Sequence, residues 1–164
     1  MASRRKGRIL AFQALYAWDV GYCQTGSVLI PEDLSDFPWA KDNKQLDLEL
    51  ETFSRLLLSG TVENIAAVDS MIGDHLQNWG LERLNQVDRA ILRMSVYTLM
   101  FQSDMPPSIV IDEAIEISKE FGTDDSYRFV NGVLDAVLTT INSKGLGSVQ
   151  KNPLEKDSKT MVPK

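Results

Sequence analysis

The segment from Val87 to Phe101 constrains the fold most, because it is apolar around most of its helical circumference. Its large apolar side chains are Ile91, Leu92, Met94, Val96, Leu99 and Met100. A helix that is hydrophobic on nearly all sides belongs in the interior of a protein. Asn85 and Asp88 stand at its start with the spacing of an approximate capping box. We therefore expect a central, buried helix that begins close to residue 87.

The remaining apolar residues recur at helical spacing, and no convincing run alternates as a strand would. One helix is expected over about residues 3–22, and similar spacing continues over residues 46–57 and 62–76. Gly60 lies between the last two segments. It either ends a helix, with Thr61 capping the next, or lies within one long helix at a cost of ~1 kcal/mol. The pattern predicts an all-α protein with about six or seven helices.

A helical pair joined by a tight turn is expected over residues 106–138. Pro106 and Pro107 interrupt the preceding helix, and Ser108 is a candidate cap for the next one. The apolar face of this helix is expected to consist of Val110, Ile111, Ala114, Ile115, Ile117 and Phe121. Gly122 then suits a helix end in the left-handed conformation.

The last helix is expected to follow Thr123, a candidate cap. Asp124 and Asp125 would lie in its first turn, where negative charge suits the helix dipole. Its buried stripe is expected to consist of Val130, Val133, Leu134, Val137, Leu138 and Ile141.

The chain has 164 residues, of which 43% are hydrophobic, and this suits one globular domain, which we place at residues 1–143. Residues 24–44 have the composition of a loop, and residues 144–164 form a lysine-rich tail that we expect to be disordered. The sequence has no membrane-length apolar run and a single cysteine, Cys23, so we expect neither a membrane span nor an internal disulfide. Because no export signal is recognisable, the cytoplasm is the expected compartment.

The net charge of -6 is unevenly distributed along the chain. Four cations, Arg4, Arg5, Lys6 and Arg8, crowd its start, and no acidic residue precedes Asp19. Such asymmetry allows a local site for an anionic partner on an otherwise acidic protein. From charge alone, a solubilising N-terminus is the simpler alternative.

Nothing in the sequence indicates catalysis. The one histidine, His75, stands alone on a predicted helix face. The sequence has no Cys/His metal spacing, no Walker loop and no dinucleotide-binding glycine motif. Glu113, Glu116 and Glu120 form an acidic row that is typical of a solvated helix face. We therefore predict no enzymatic activity, no metal and no cofactor.

The chain resembles the NusB family in three blocks, which occur in the family's order: RRKGRILAFQALYAWD (4–19), RLNQVDRAILRMSVYTLMF (83–101) and the segment 106–138, where FVNGVLD (129–135) is most specific. The resemblance implies two packed helical bundles that bind boxA-type single-stranded RNA and form a heterodimer with NusE, a small-subunit ribosomal protein. It also implies a place in an RNA polymerase antitermination complex with other Nus factors. Some members of the family self-associate, so a homo-oligomer stays open.

The resemblance implies RNA contacts at two places in the chain. The cations of the N-terminal set, which would contact phosphate, are Arg4, Arg5, Lys6 and Arg8. Gly7 stands where the family usually has alanine, and Ile9 where it often has an acid, so the local helix start departs from the family pattern. Phe129 matches a phenylalanine near RNA and would stack on an unpaired base, with burial in the core as the alternative. Tyr127 and Arg128 flank it.

The resemblance also implies three further roles. Asp125 matches an acidic position near the RNA- and partner-binding surface, where it would restrain affinity by repelling phosphate. Tyr16 and Asp88 match positions that contact NusE. Each has a structural alternative, namely core packing for Tyr16 and helix capping for Asp88.

Two other classes of function stay open. One is the regulatory RNA-binding domain of a ribosomal RNA methyltransferase, which shares this fold but precedes a catalytic domain. The other is a helical protein-interaction module without RNA affinity, which the acidic net charge slightly favours.

Overall fold

The computed structural model describes residues 2–25, 48–77 and 80–145. Within these ranges the protein is helical and contains no strand, so the predicted all-α class is confirmed. The helices are α1 (Ala2–Thr25), α2 (Leu48–Glu63), α3 (Ile65–Gly73), α4 (Gln86–Phe101), α5 (Pro107–Phe121) and α6 (Ser126–Lys144).

A short 3-10 turn, Leu81–Arg83, precedes α4. None of the helices in the described ranges combines the length and apolar character needed to cross a bilayer. Most of the predicted loop, from residue 26 onward, lies outside the described residues, as does the predicted tail beyond Gly145.

The central helix predicted from the apolar segment is α4. It contacts each of the other five described helices, and every residue from Asp88 to Leu99 is buried. Asn85 is its N-cap, and the Asn85 Oδ1 atom accepts a hydrogen bond from the backbone N–H of Asp88 at 2.8 Å. The cap satisfies a donor that the first helical turn leaves unpaired, and it sets the start of α4.

Helix α4 joins two groups of helices. It packs against α1, α2 and α3 in the first group, and against α5 and α6, which pair with each other, in the second. The expected arrangement of two packed bundles is confirmed. The largest fully buried side chains come from both groups and from α4: Leu10, Leu15, Leu58, Ile72, Ile91, Leu92, Ile117, Leu134 and Ile141. Burial of each such side chain contributes roughly 1.5–3 kcal/mol.

Gly60 lies inside a helix, as in the second alternative, but the two segments do not form one long helix. Helix α2 runs through Gly60 and ends at Glu63, and α3 begins after its N-cap, Asn64. Thr61 lies inside the helix, where its hydroxyl donates to the carbonyl of Leu57 at 2.6 Å, and so Thr61 caps nothing.

Helix α5 begins earlier than the sequence suggested. Pro106 is its N-cap and Pro107 its first residue, where a missing backbone N–H costs nothing, and Ser108 therefore lies inside the helix. At the other end, Gly122 has a φ of -93°, so the predicted left-handed conformation is wrong. Glycine is needed there for space, because a Cβ would lie 2.6 Å from the Ser126 side chain.

The turn before α6 also differs from the prediction. Helix α6 starts at Ser126, so Asp124 and Asp125 precede it and do not lie in its first turn. Thr123 is not the cap; its backbone N–H instead donates to the Ser126 hydroxyl at 2.9 Å. The left-handed glycine occurs at the end of α6, where Gly145 has a φ of 67°.

A buried ion network holds the first helical group together. On α4, Arg89 Nε donates to Asp19 Oδ2 of α1 at 2.8 Å, and Arg93 binds Asp69 of α3 through two hydrogen bonds of 2.9 Å. Arg93 also lies 3.3 Å from Asp19. Burial acts to lower the pKa of Arg93, but Asp69 and Asp19 outweigh it and raise that pKa. The network orients α1 and α3 on α4, and no local sequence pattern predicts it.

Candidate nucleic-acid interface

The N-terminal cations of α1 have different environments. Arg4, Arg5 and Lys6 are exposed, whereas Arg8 is only 7% exposed. The Arg8 guanidinium donates to the sulfur of Met105 at 3.5 Å, and burial lowers its pKa. Arg8 therefore packs α1 against the second helical group, and the structure does not support a phosphate contact for it.

Phe53 of α2 supports the exposed end of α1. The Arg4 guanidinium lies 4.5 Å from the centroid of the Phe53 ring, and that of Arg8 lies 5.6 Å from it. The ring fits here because Gly7 has no side chain, since a Cβ would lie 2.6 Å from Phe53 Cδ1. The Ser54 hydroxyl also donates to the Gly7 carbonyl at 2.9 Å. Glycine at position 7 thus leaves α1 helical and permits close packing against α2.

Arg5 is exposed but not free. Its Nε and Nη2 atoms donate to Oε2 and Oε1 of Glu113 on α5, both at 3.0 Å. This hydrogen bonding raises the pKa of Arg5 and lowers that of Glu113, and the charges of Glu116 and Glu120 also act on Arg5. The acidic row, predicted as a solvated face, therefore lies next to the basic start of the chain.

The other predicted RNA contacts, Tyr127 and Arg128, lie at the start of α6, close to the end of α5. Lys119 Nζ lies 3.7 Å from Glu116 and 5.4 Å from the centroid of the Tyr127 ring. Arg128 Nε donates to the Tyr127 hydroxyl at 2.9 Å. Glu113 and Lys119 are six residues apart, which is about 9 Å along a helix. Helix α5 therefore links the N-terminal cations to Tyr127 and Arg128. Lys119 is a further cation of this surface, and it was not among the predicted contacts.

A cavity of about 720 Å³ lies where the 3-10 turn, the start of α4 and the α5–α6 turn meet. Asp88, Asp125 and Phe129 all line it, together with His75, Arg83 and Leu84. Phe129 is half-buried and packs partly against the core, so one part of its ring is accessible. The structure thus brings a predicted partner contact, Asp88, together with two predicted RNA contacts.

The carboxylate of Asp88 does not cap α4. It is 7% exposed, and its Oδ2 accepts a hydrogen bond from the side chain of Asn85 at 3.0 Å. Its other oxygen, Oδ1, is buried and accepts no hydrogen bond from the described part of the chain. The cap is formed by the Asn85 side chain and the Asp88 backbone, so the carboxylate has a hydrogen-bonding capacity that the helix does not use.

Tyr16 lies at the surface of α1. Its exposure is 39%, whereas the neighbouring Leu15 is fully buried, and this argues against core packing. Tyr16 stands one turn before Asp19, and Asp88 directly precedes Arg89. The Asp19–Arg89 ion pair therefore joins the stretches of α1 and α4 that carry the two predicted partner contacts.

Comparison with known proteins identifies the family. The sequence model of the NusB family matches residues 5–139. Transcription antitermination protein NusB from Treponema denticola is 54% identical over 134 residues, which cover 82% of this chain and 94% of that protein. The protein of the same name from Borreliella burgdorferi is 40% identical over 140 residues, 83% of this chain and 94% of that protein.

Solved structures agree with the sequence comparison. T. maritima NusB has a TM-score of 0.68 at 35% identity, covering 83% of this chain and 90% of that chain. A chain in the crystal structure of antitermination factors NusB and NusE in complex with dsRNA has a TM-score of 0.73 at 27% identity, covering 85% of this chain and 98% of that chain. From its sequence and its helical architecture, this chain belongs to the NusB family.

Proposed function

We propose that the protein is a non-catalytic transcription antitermination factor of the cytoplasm. It binds boxA-type single-stranded RNA together with NusE, and the pair joins an RNA polymerase complex with other Nus factors during ribosomal RNA synthesis. The observation that carries this proposal is the cavity lined by Asp88, Asp125 and Phe129. In this cavity a predicted NusE contact, Asp88, lies close to two predicted RNA contacts. The named function of the antitermination relatives supports it.

The RNA surface in this proposal runs from the start of α1 along α5 to the start of α6. Arg4 and Lys6 supply exposed cations for phosphate, and Arg128 supplies another at the far end. Phe129 presents the accessible part of its ring to a base, a contact that is tolerant of sequence because every base has a stacking face. Asp125, exposed beside it, repels phosphate and limits the affinity of the isolated protein.

The NusE surface in this proposal consists of Tyr16 and Asp88. An exposed tyrosine offers an apolar ring and a hydroxyl, which is a combination common at protein interfaces. The buried Asp88 Oδ1 would gain a donor from the partner, and a charge in such a position favours one partner over others. Because both residues lie on helices fixed by the Asp19–Arg89 ion pair, the surface is formed before the partner arrives.

A helical protein-interaction module without RNA affinity is the second candidate. The net charge of -6 favours it, as does the pairing of Arg5 with Glu113. The domain of a ribosomal RNA methyltransferase is less well supported, because the relatives described above are antitermination proteins.

A filter-binding titration separates these functions. Labelled boxA RNA and a scrambled RNA of equal length are titrated with the protein, with and without NusE. Preferential binding to boxA RNA that tightens in the presence of NusE is the expected result. Binding to NusE without any RNA retention would instead establish the protein-interaction module, and equal retention of both RNAs would contradict boxA recognition.

A further inference from the structure

We propose that Glu113 is an affinity-determining residue of the RNA surface, because its carboxylate occupies Arg5 and competes with RNA phosphate for that guanidinium. This inference rests on the proposed RNA-binding function. Its basis is the bidentate pair, in which two nitrogens of Arg5 donate to the two oxygens of Glu113 at 3.0 Å. Arginine binds carboxylate and phosphate with the same two-pronged geometry, so only one of them can occupy the Nε–Nη2 edge of Arg5 at a time.

The environment of Glu113 keeps it in place while Arg5 remains accessible. The Glu113 side chain is 16% exposed, whereas that of Arg5 is 49% exposed. Glu113 also lies 3.8 Å from Nη1 of the buried Arg8, a second cation that holds the carboxylate against α1. The hydrogen bond from Arg5 lowers the pKa of Glu113, which keeps the competing charge present near neutral pH. Arg5 can thus leave the pair and reach solvent, while Glu113 stays.

Two consequences distinguish Glu113 from an ordinary surface acid. First, an RNA strand that recruits Arg5 must break the pair, so Glu113 lowers affinity by the free energy of the Arg5–Glu113 contact. Second, a strand that leaves the pair intact makes no phosphate contact through Arg5 and therefore releases no counterion there. The salt slope is then smaller by about 0.7, which is the contribution of one phosphate contact for single-stranded nucleic acid. The loss of Glu113 should therefore change both the affinity and the salt slope.

The test compares four variants with the wild type in boxA RNA binding at several salt concentrations. Glu113→Gln is expected to bind at least about threefold more tightly at low salt, with a slope steeper by about 0.7. Asp112→Asn, an exposed neighbour on the same helix, changes net charge equally and should change neither quantity as much. Arg5→Gln combined with Glu113→Gln should bind RNA like Arg5→Gln alone, because the guanidinium that loss of Glu113 would release is then absent.

Loss of Glu113 also removes a negative charge that compensates the buried positive charge of Arg8, and this can lower stability. The melting temperature of each variant is therefore measured alongside every titration. If Glu113→Gln does not fold, Glu113→Asp is the variant that tests the proposal. It keeps a negative charge near Arg8 but retracts the carboxylate from Arg5 by about 1.5 Å, one bond length. Tighter binding by Glu113→Asp at unchanged net charge supports the proposal. Weaker binding by a folded Glu113 variant overturns it and makes Glu113 a residue that positions Arg5. A gain equal to that of Asp112→Asn also overturns it.

Elution from heparin separates this proposal from the proposed function. If neither the wild type nor any variant retains boxA RNA, RNA binding fails as the function. The Glu113→Gln variant should still elute from heparin at higher salt than Asp112→Asn, because heparin is a polyanion that Arg5 can bind once released. Elution of both variants at the same salt concentration would overturn the role of Glu113 independently of RNA.

Discussion

Gly60 of α2 lies against the hydroxyl end of the Tyr97 side chain on α4, so that a Cβ added at Gly60 would overlap the Tyr97 hydroxyl and lie 2.8 Å from its Cε1 atom. Tyr97 cannot easily move away. It is buried, its ring stacks on Phe101 at 5.6 Å, and its hydroxyl accepts a hydrogen bond from Gln102. Close approach of the two helices therefore requires glycine at this point of α2, despite its low helix propensity.

Gly60→Ala should destabilise the protein, although alanine favours a helix by ~1 kcal/mol. Overpacking against Tyr97 is expected to cost about 1–3 kcal/mol, so the net change should lower the melting temperature. Gly132→Ala is the matched control, because a Cβ at this position of α6 meets nothing within 4 Å. It should leave stability unchanged or raise it. Equal melting temperatures for the two variants would contradict the packing argument.

Replacement of the exposed cations should weaken RNA binding without unfolding the protein. The double variant Arg4→Gln, Lys6→Gln is expected to lower the salt slope by about 1.4, which corresponds to two lost phosphate contacts. Its melting temperature should fall little, because a cation–π contact at an exposed site such as Arg4–Phe53 contributes only about 0.5–1 kcal/mol.

Arg8→Gln should behave in the opposite way. Arg8 is buried between Met105, Glu113 and the Phe53 ring, so its loss is expected to lower the melting temperature and leave the salt slope of the folded protein unchanged. Thermal melts and RNA titrations of the same preparations check both variants. A reduced slope for a stable Arg8→Gln variant would return Arg8 to the RNA surface.

Phe129→Ala should affect RNA affinity and stability together, because its ring is half-buried and lines the cavity. We expect RNA affinity to fall by ~1–3 kcal/mol and stability to fall by less than the ~3–5 kcal/mol of a fully buried phenylalanine. Leu134→Ala, on the same helix but fully buried, is the control. It should cost ~2–5 kcal/mol of stability and leave the RNA affinity of the folded fraction unchanged.

Phe129→Tyr refines this test. A ring with an accessible part should tolerate a hydroxyl, so both RNA affinity and melting temperature should stay close to the wild type. Retained RNA affinity in Phe129→Ala, measured on folded protein, would make Phe129 a purely structural residue.

Asp88→Ala should weaken NusE binding more than RNA binding. The Asn85 cap uses only the backbone of Asp88, so the variant keeps its helix start and should lose no more than about 1 kcal/mol of stability with the single side-chain hydrogen bond. Asp112→Ala controls for the change in net charge. Calorimetric titration with NusE, alongside thermal melting, measures the effect, and an unchanged NusE affinity would remove Asp88 from the interface.

The sequence by itself determined the helical class, the buried position of α4 and the two apolar faces of the α5–α6 pair. These features follow from contacts between residues three or four positions apart, and the spacing of apolar residues along the chain indicates such contacts directly. Asn85 as a cap was predictable for the same reason. The family resemblance then indicated candidate contact residues, but it gave no information on their surroundings.

Only the tertiary structure decided which of those residues are available. Arg5 and Glu113 are 108 positions apart, and Gly60 and Tyr97 belong to different helices, so no local pattern reveals that they meet. The same holds for the cavity that joins Asp88 to Phe129. Periodicity determines which face of a helix is buried, but the pairing of charges and the meeting of side chains depend on how the helices cross, and this is set by packing across the whole chain.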